Sequence, residues 1–246
     1  MCTLTYLLND NGYELFFNRD EQRSRVLATP PQYDEIKEAL YPIDPQGGGT
    51  WIAVNKRGLS LALLNNYQAA ESLTSTNYNS ISRGQLILSL IAGEGSVTKQ
   101  LKWMDLSVYQ PFQLCIFSED LSIHNQEISC VKWDGIQLID VSSDVDLPIT
   151  SSSVDFIEVS QKRKDRFERL VDGDEPLSTQ LKDFHFSTEA NGKHSVNMQR
   201  EDAKTVSISH ISINSDRKKN SHSSINNVIS FEYFDNVMNE NHVITR

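Results

Sequence analysis

The sequence predicts an α+β fold in a single domain spanning residues 1–246. Three observations carry that expectation. Strand-like segments bounded by turn residues recur along most of the chain, three interior stretches have the spacing of helices, and neither an internal repeat nor a linker divides the sequence. With 38% hydrophobic residues, including 10 Phe, 8 Tyr and 3 Trp, the chain can bury a sizeable core.

The opening gives the clearest local pattern. Cys2 to Leu8 is β-prone, Asn9-Asp10-Asn11-Gly12 is turn chemistry, and Tyr13 to Asn18 is β-prone again, which predicts a hairpin. Its return strand brings Arg19 back beside Cys2. Pro30 to Gly49 holds four of the seven prolines and ends on three glycines, so it reads as an irregular surface loop. Trp51 to Asn55, the Lys56-Arg57-Gly58 turn and Leu59 to Leu64 predict a second hairpin, ending at Asn65-Asn66. Ser82 reads as an N-cap for a helix over Arg83 to Ala92, where Leu86/Leu90 and Ile87/Ile91 share a face and Gly93 stops it.

Phe112 to Phe117, Ile128 to Trp133 and Ile136 to Val141 predict further strands, the last two joined by a turn at Asp134-Gly135. Ser160 to Val171 reads as a helix whose cations form a solvated face and whose Val159, Phe167, Leu170 and Val171 turn inward. Leu177 to Phe184 predicts a short helix, Thr205 to Ile213 a strand, Asn214 to Asn227 a hairpin tip, and Val228 to Phe234 its return strand.

Composition excludes several functions. The 23 Lys plus Arg against 33 Asp plus Glu leave a net charge of −10, against a general nucleic-acid binder. No apolar run approaches the roughly 20 residues of a membrane span, and no secretory leader precedes Asn9-Asp10-Asn11, so a cytoplasmic protein without stable membrane insertion is expected. Three sparse cysteines, Cys2, Cys115 and Cys130, fit reduced thiols, the last two in the core. The six histidines are scattered without metal-ligand spacing and read mostly as surface residues, so no metal is expected. No phosphate-binding loop and no G-x-S-x-G elbow is present.

What remains is the second residue. Removal of Met1 would leave Cys2 with a thiol and a free α-amine, nucleophile and base on one residue. A free α-amine titrates near roughly 7.7–8.0 and a cysteine near about 8.5, so modest local charge selects a thiolate or a neutral amine. Such a site needs an anion to orient the amine, a cation beside the sulfur, and donors aimed at an oxyanion. The hairpin places Asn18-Arg19-Asp20-Glu21 where the first two are required. The competing reading of Arg19-Asp20 is a surface ion pair of little energetic consequence.

Met1-Cys2-Thr3, Asn18-Arg19-Asp20-Glu21, Gly49-Thr50-Trp51, Asn66-Tyr67, Ser82-Arg83-Gly84, Tyr109-Gln110-Pro111-Phe112 and Arg200-Glu201-Asp202 stand in the order and spacing of the NRDE, or transport and Golgi organisation 2, family, which the chain resembles over nearly its whole length. The resemblance implies an N-terminal nucleophile (Ntn) hydrolase-like fold, a four-layer αββα sandwich of two antiparallel sheets between helices. By similarity to the choloylglycine hydrolase and penicillin V acylase branch, Cys2 would be the nucleophile, Arg19 the cation beside it and Asp20 the anchor of the amine. Glu21 competes with Asp20, since adjacent strand residues face opposite ways.

Asn66 resembles an oxyanion donor, with Asn65 as the one-residue alternative. Ser151, Trp51 and Arg200 are the candidate substrate-facing residues. An ordinary ion pair with Glu201 or Asp202 is the competing reading of Arg200. The expected function is cleavage of a small amide or acyl substrate through a thioester at Cys2, without a cofactor. The alternative is a non-catalytic carrier for haem or a lipid-like ligand.

Overall fold

The computed structural model describes residues 1–73, 81–171, 177–216 and 226–246. The strands in chain order are β1 (Cys2–Asn9), β2 (Gly12–Gln22), β3 (Thr29–Asp34), β4 (Ala39–Ile43), β5 (Ile52–Asn55), β6 (Ser60–Asn65), β7 (Phe112–Phe117), β8 (Ile128–Trp133), β9 (Leu138–Asp140), β10 (Ile149–Ser151), β11 (Ala203–Asp216), β12 (Asn226–Asp235) and β13 (Glu240–Thr245). The helices are α1 (Tyr67–Ser72), α2 (Arg83–Leu90), α3 (Val97–Trp103), α4 (Phe156–Leu170) and α5 (Ser178–Phe186). Two antiparallel sheets result, in the orders β10-β1-β2-β11-β12-β13 and β3-β4-β5-β6-β7-β8-β9. Among the described residues no helix is long and apolar enough to cross a membrane.

Strand alternation explains the layering. Cys2 and Leu4 of β1 and Tyr13, Leu15 and Phe17 of β2 face the second sheet, where Ile52, Val54, Ala62, Leu64, Cys115, Phe117 and Cys130 meet them in one buried core. The other face of the second sheet packs Leu61, Leu63 and Leu114 against Leu86, Ile87 and Leu90 of α2 and Leu101 of α3. The other face of the first sheet is covered by α4 and α5, through buried Val159, Leu181 and Phe184. The sequence of layers is helix, sheet, sheet, helix, an α+β sandwich.

Several sequence expectations change. Pro30 to Gly49 is not wholly irregular: β3 and β4 lie within it. Pro30 and Pro31 are tolerated because β3 is an edge strand and the register breaks between Thr29 and Gln32, so neither missing N–H is needed by the ladder. The last strand is shorter than expected, Leu138–Asp140, because Asp134 Oδ1 accepts from the amides of Ile136 and Gln137 and lengthens the turn. The Asn214 to Asn227 tip is strand at both ends, and its residues 217–225 lie outside the described residues.

Arg163 departs most from expectation. It is not on a solvated face but fully buried. Among the described histidines one, His185 of α5, is fully buried, while His124, His194, His210 and His242 keep exposed area as expected. Asn18 donates to the carbonyls of His185 and Val196, so its own Oδ1 accepts from His185 Nδ1 at 2.6 Å, leaving Nε2 to accept from Thr5 Oγ1 at 2.7 Å. The ring is held neutral, and burial pushes its pKa down to about 3.

Because the folded value lies below the ordinary 6.5, the unfolded chain takes up this proton first. The stability linked to His185 is complete above about pH 6.5 and is lost as the pH falls towards 3, at up to about 1.4 kcal/mol per pH unit. Urea unfolding across that window is expected to show this slope in the wild type and a flatter one in His185→Gln.

Candidate active site

Cys2 sits near the end of β1 with Arg19 opposite it on β2 and Ser151 opposite it on β10. Residues directly across an antiparallel pair share a face, so all three point towards the second sheet. There a cleft of about 660 Å³ opens between the sheet ends, lined by Cys2, Arg19, Glu21, Trp51, Asn65 and Tyr67 among others. Cys2 is 8% exposed. Burial raises its thiol pKa, while the chain-terminal ammonium and Arg19 pull the other way.

Arg19 is fixed from three sides. Its guanidinium lies over the Trp51 ring, 4.3 Å from the centroid, and its Nη2 stands 3.1 Å from Glu21 Oε2 and 3.6 Å from Asp44 Oδ2. Arg25 shares the same two carboxylates, at 3.4 Å from Glu21 and 2.5 Å from Asp44. The wall of the cleft is therefore an alternating lattice of two arginines and two acids.

Alternation sends Asp20 the other way. Its carboxylate lies under β1, where Oδ2 pairs with Arg163 at 3.2 Å and Oδ1 accepts from Thr205 Oγ1 at 2.6 Å; Arg163 also donates to Thr3 Oγ1. Between the two competing acids it is Glu21 whose side chain is on the Cys2 side, bonded to Arg19. The Asp20 backbone does reach the chain start: its N–H donates to Met1 O at 2.9 Å and its carbonyl accepts from the Met1 ammonium at 3.3 Å. The same ammonium donates to Tyr67 Oη at 3.3 Å. Met1 itself is 6% exposed, packed with Val159, Met198 and Ala203.

Of the two asparagines after β6, Asn65 lines the cleft and donates from Nδ2 to Tyr67 Oη at 2.7 Å. Asn66 does not line it. Its Oδ1 accepts from Ala69 N as the N-cap of α1, which is the ordinary use of asparagine before a helix. Ser151 is buried beside Cys2, its hydroxyl without a partner among the described residues, yet it is outside the cleft lining. Arg200 is also outside; it pairs with Asp202 at 2.5 Å and touches Met1 Sδ at 3.2 Å.

These placements separate two variants. Asn65→Ala is expected to lower kcat about 10²-fold if it supplies an oxyanion donor. Asn66→Ala is expected to cost about 1 kcal/mol of stability and leave kcat near the wild-type value. Steady-state kinetics alongside thermal melts read both.

Sequence reasoning did not single out Arg25, Asp44, Tyr67 or Arg83 as site residues, although all four line the cleft. Tyr67 and Arg83 belong to the short motifs Asn66-Tyr67 and Ser82-Arg83-Gly84, whereas Arg25 and Asp44 carry no local signal. Gly49-Thr50 and Ser82-Arg83-Gly84 meet because Thr50 N donates to Gly84 O, and a Cβ on Gly49 would stand 2.3 Å from the Gly84 carbonyl carbon. Only glycines permit that approach. Among the described residues no cluster of His, Cys, Asp and Glu has metal-binding geometry.

A sandwich of two antiparallel sheets between helices is the Ntn-hydrolase fold, and a solved structure shares it. The chain resembles penicillin V acylase from Agrobacterium tumefaciens at a TM-score of 0.54 and 11% identity, over 99% of this chain and 86% of that one. Weaker likenesses, both at a TM-score of 0.48, are to a mutant conjugated bile acid hydrolase from Clostridium perfringens (13% identity, 99% and 92% covered) and to the Caenorhabditis elegans orthologue of N-acylethanolamine-hydrolyzing acid amidase (8% identity, 85% and 92% covered). No curated protein matches the sequence. The chain belongs to the transport and Golgi organisation 2 family, whose family model matches residues 1–233.

Proposed function

We propose that the protein is an amidohydrolase of the N-terminal cysteine type, acting on a small amide or acyl substrate. The observation that carries this reading is the cross-strand pairing of Cys2 with Arg19 at the floor of an open cleft. With Met1 removed, the Cys2 nitrogen becomes a free amine on the same residue as the thiol. The amine accepts the thiol proton, the sulfur attacks the amide carbon, and the C–N bond breaks with that proton leaving on the amine product. Water then cleaves the thioester, releasing the acid and restoring the thiol.

Arg19 favours the thiolate against the burial that opposes it. Asn65 Nδ2 and Tyr67 Oη are the polar groups on the cleft wall suited to a developing oxyanion. No step calls for a cofactor. Incubation with a simple activated ester, followed by peptide-resolved mass spectrometry, tests the proposal: an acyl adduct on Cys2 of the Met1-free chain is expected, and its absence while the thiol still alkylates overturns it.

The carrier reading, for haem or a lipid-like ligand, has less support. Among the described residues polar and charged side chains outnumber apolar ones around the cleft, and Cys2 is its only soft metal ligand. An apolar recess of about 240 Å³ lies elsewhere, against the outer face of the first sheet between Phe16, Phe186, Ile208 and Phe234.

A further inference from the structure

We propose that the Cys2 cleft takes substrates carrying a carboxylate, and that Arg83 is the residue that binds it. This deepens the amidohydrolase reading and rests on it for the word substrate. The argument is an accounting of charge. Glu21 and Asp44 are both shared between Arg19 and Arg25, and Asp20 is engaged by Arg163 on the far side of β1. Arg83 is left over. Among the described residues it has no carboxylate partner, and its guanidinium makes one hydrogen bond, from Nη1 to the Pro111 carbonyl at 3.0 Å. The neighbouring residues 74–80, outside the described set, contain no Asp or Glu.

A largely buried guanidinium without a carboxylate is costly, because desolvation is not offset by an opposite charge. Burial disfavours the charged form of Arg83, but an arginine stays protonated and keeps its five N–H donors, only one of which Pro111 occupies. The remaining donors have the planar fork that a carboxylate matches with two parallel bonds. Ser82, beside it on the cleft wall, has a hydroxyl that makes no capping bond to α2. Arg83, Tyr67 and Cys2 line the same cleft, and the charge of Arg83 acts on the other two. With Glu21 and Asp44 already shared between Arg19 and Arg25, this unpaired cation leaves a net positive charge on the cleft wall, which favours an anion.

The test uses a matched pair of alkylating agents, iodoacetate and iodoacetamide, which differ in a carboxylate and a carboxamide. The rate at Cys2 is read on the full chain by peptide-resolved mass spectrometry, and the ratio of the two rates is compared with that for free cysteine. A ratio raised about tenfold over free cysteine is expected in the wild type, corresponding to about 1.4 kcal/mol. Arg83→Gln should abolish the rise, and Arg83→Lys, which keeps the charge, should retain part of it.

Should Arg83→Gln fail to give a cooperative melt, the wild type alone decides: propionate should slow iodoacetamide at Cys2 and propionamide should not. An equal ratio in wild type and Arg83→Gln, equal protection by the two propionyl compounds, or a Cys2 inert to both reagents overturns the proposal. Alkylation does not require turnover, so failure of the amidohydrolase reading shows separately, as a missing acyl adduct with an Arg83-dependent ratio intact.

Discussion

Cys2→Ala is expected to lower amide turnover by at least about 10⁴-fold, because removal of a covalent nucleophile leaves only substrate binding and oxyanion contacts; that is more than about 5 kcal/mol of barrier. The fold should survive, since the lost sulfur is a small group at a cleft floor and its removal costs about 1 kcal/mol. A second form sharpens the result. Adding residues ahead of Cys2 keeps the thiol and its Arg19 neighbour but turns the α-amine into an amide that cannot accept a proton. Turnover should fall in that form as in Cys2→Ala, while iodoacetamide still labels the sulfur. Equal turnover in the extended and Met1-free forms would show that the base lies elsewhere.

Met1 adds a condition to this experiment. Its side chain is packed against Val159, Met198 and Ala203 on the opposite face of the first sheet from the Cys2 thiol. An aminopeptidase acts on an exposed end, so removal belongs to the nascent or unfolded chain. Purified unprocessed protein should resist the aminopeptidase until denatured, and the mass of the N-terminal peptide should be established before any kinetic comparison.

The sequence made the sheets legible where alternation and turn chemistry agree. The first hairpin and the Ile52–Asn55/Ser60–Asn65 hairpin appear where Asn-Gly and Arg-Gly turns separate β-prone runs. The same logic misread Pro30 to Gly49, because a proline's meaning depends on whether its strand is an edge, and edge position is set by strands far away in sequence. At the site, the hairpin gave Cys2 and Arg19 directly. It did not give Asn65 over Asn66 or Glu21 over Asp20. Each of those choices turns on a register of one residue, and a shift of one exchanges cleft for core.

Burial of charge was the least legible feature. The helix around Arg163 carries Lys162, Lys164, Arg166 and Arg169 as well, and nothing local marks which of the five points inward. The answer lies in Asp20, 143 positions away in sequence, whose carboxylate needs a partner under β1. Arg83 is the reverse case: a cation in an ordinary helix start whose significance appears only when every acid around the cleft has been assigned to another arginine.

That buried pair yields the second large effect. Arg163 and Asp20 have side chains 0% and 1% exposed, so neither can exchange its partner for water. Removing one leaves an uncompensated buried charge, and Asp20→Ala or Arg163→Met is expected to cost about 3–5 kcal/mol, a fall in Tm of roughly 10 °C for a chain of this size. Replacing both should recover much of the loss, since an apolar pair of similar volume avoids desolvating two ions, and a double-mutant cycle would report strong coupling. The cycle also decides what Asp20 does for the site. If its carboxylate serves the fold through Arg163, the double variant regains stability and keeps turnover where it is folded, because that carboxylate is turned away from the cleft towards Arg163 and Thr205. If the carboxylate itself anchors the amine, turnover stays lost in the double variant while Tm recovers, and Arg163→Met alone retains kcat below its melting range.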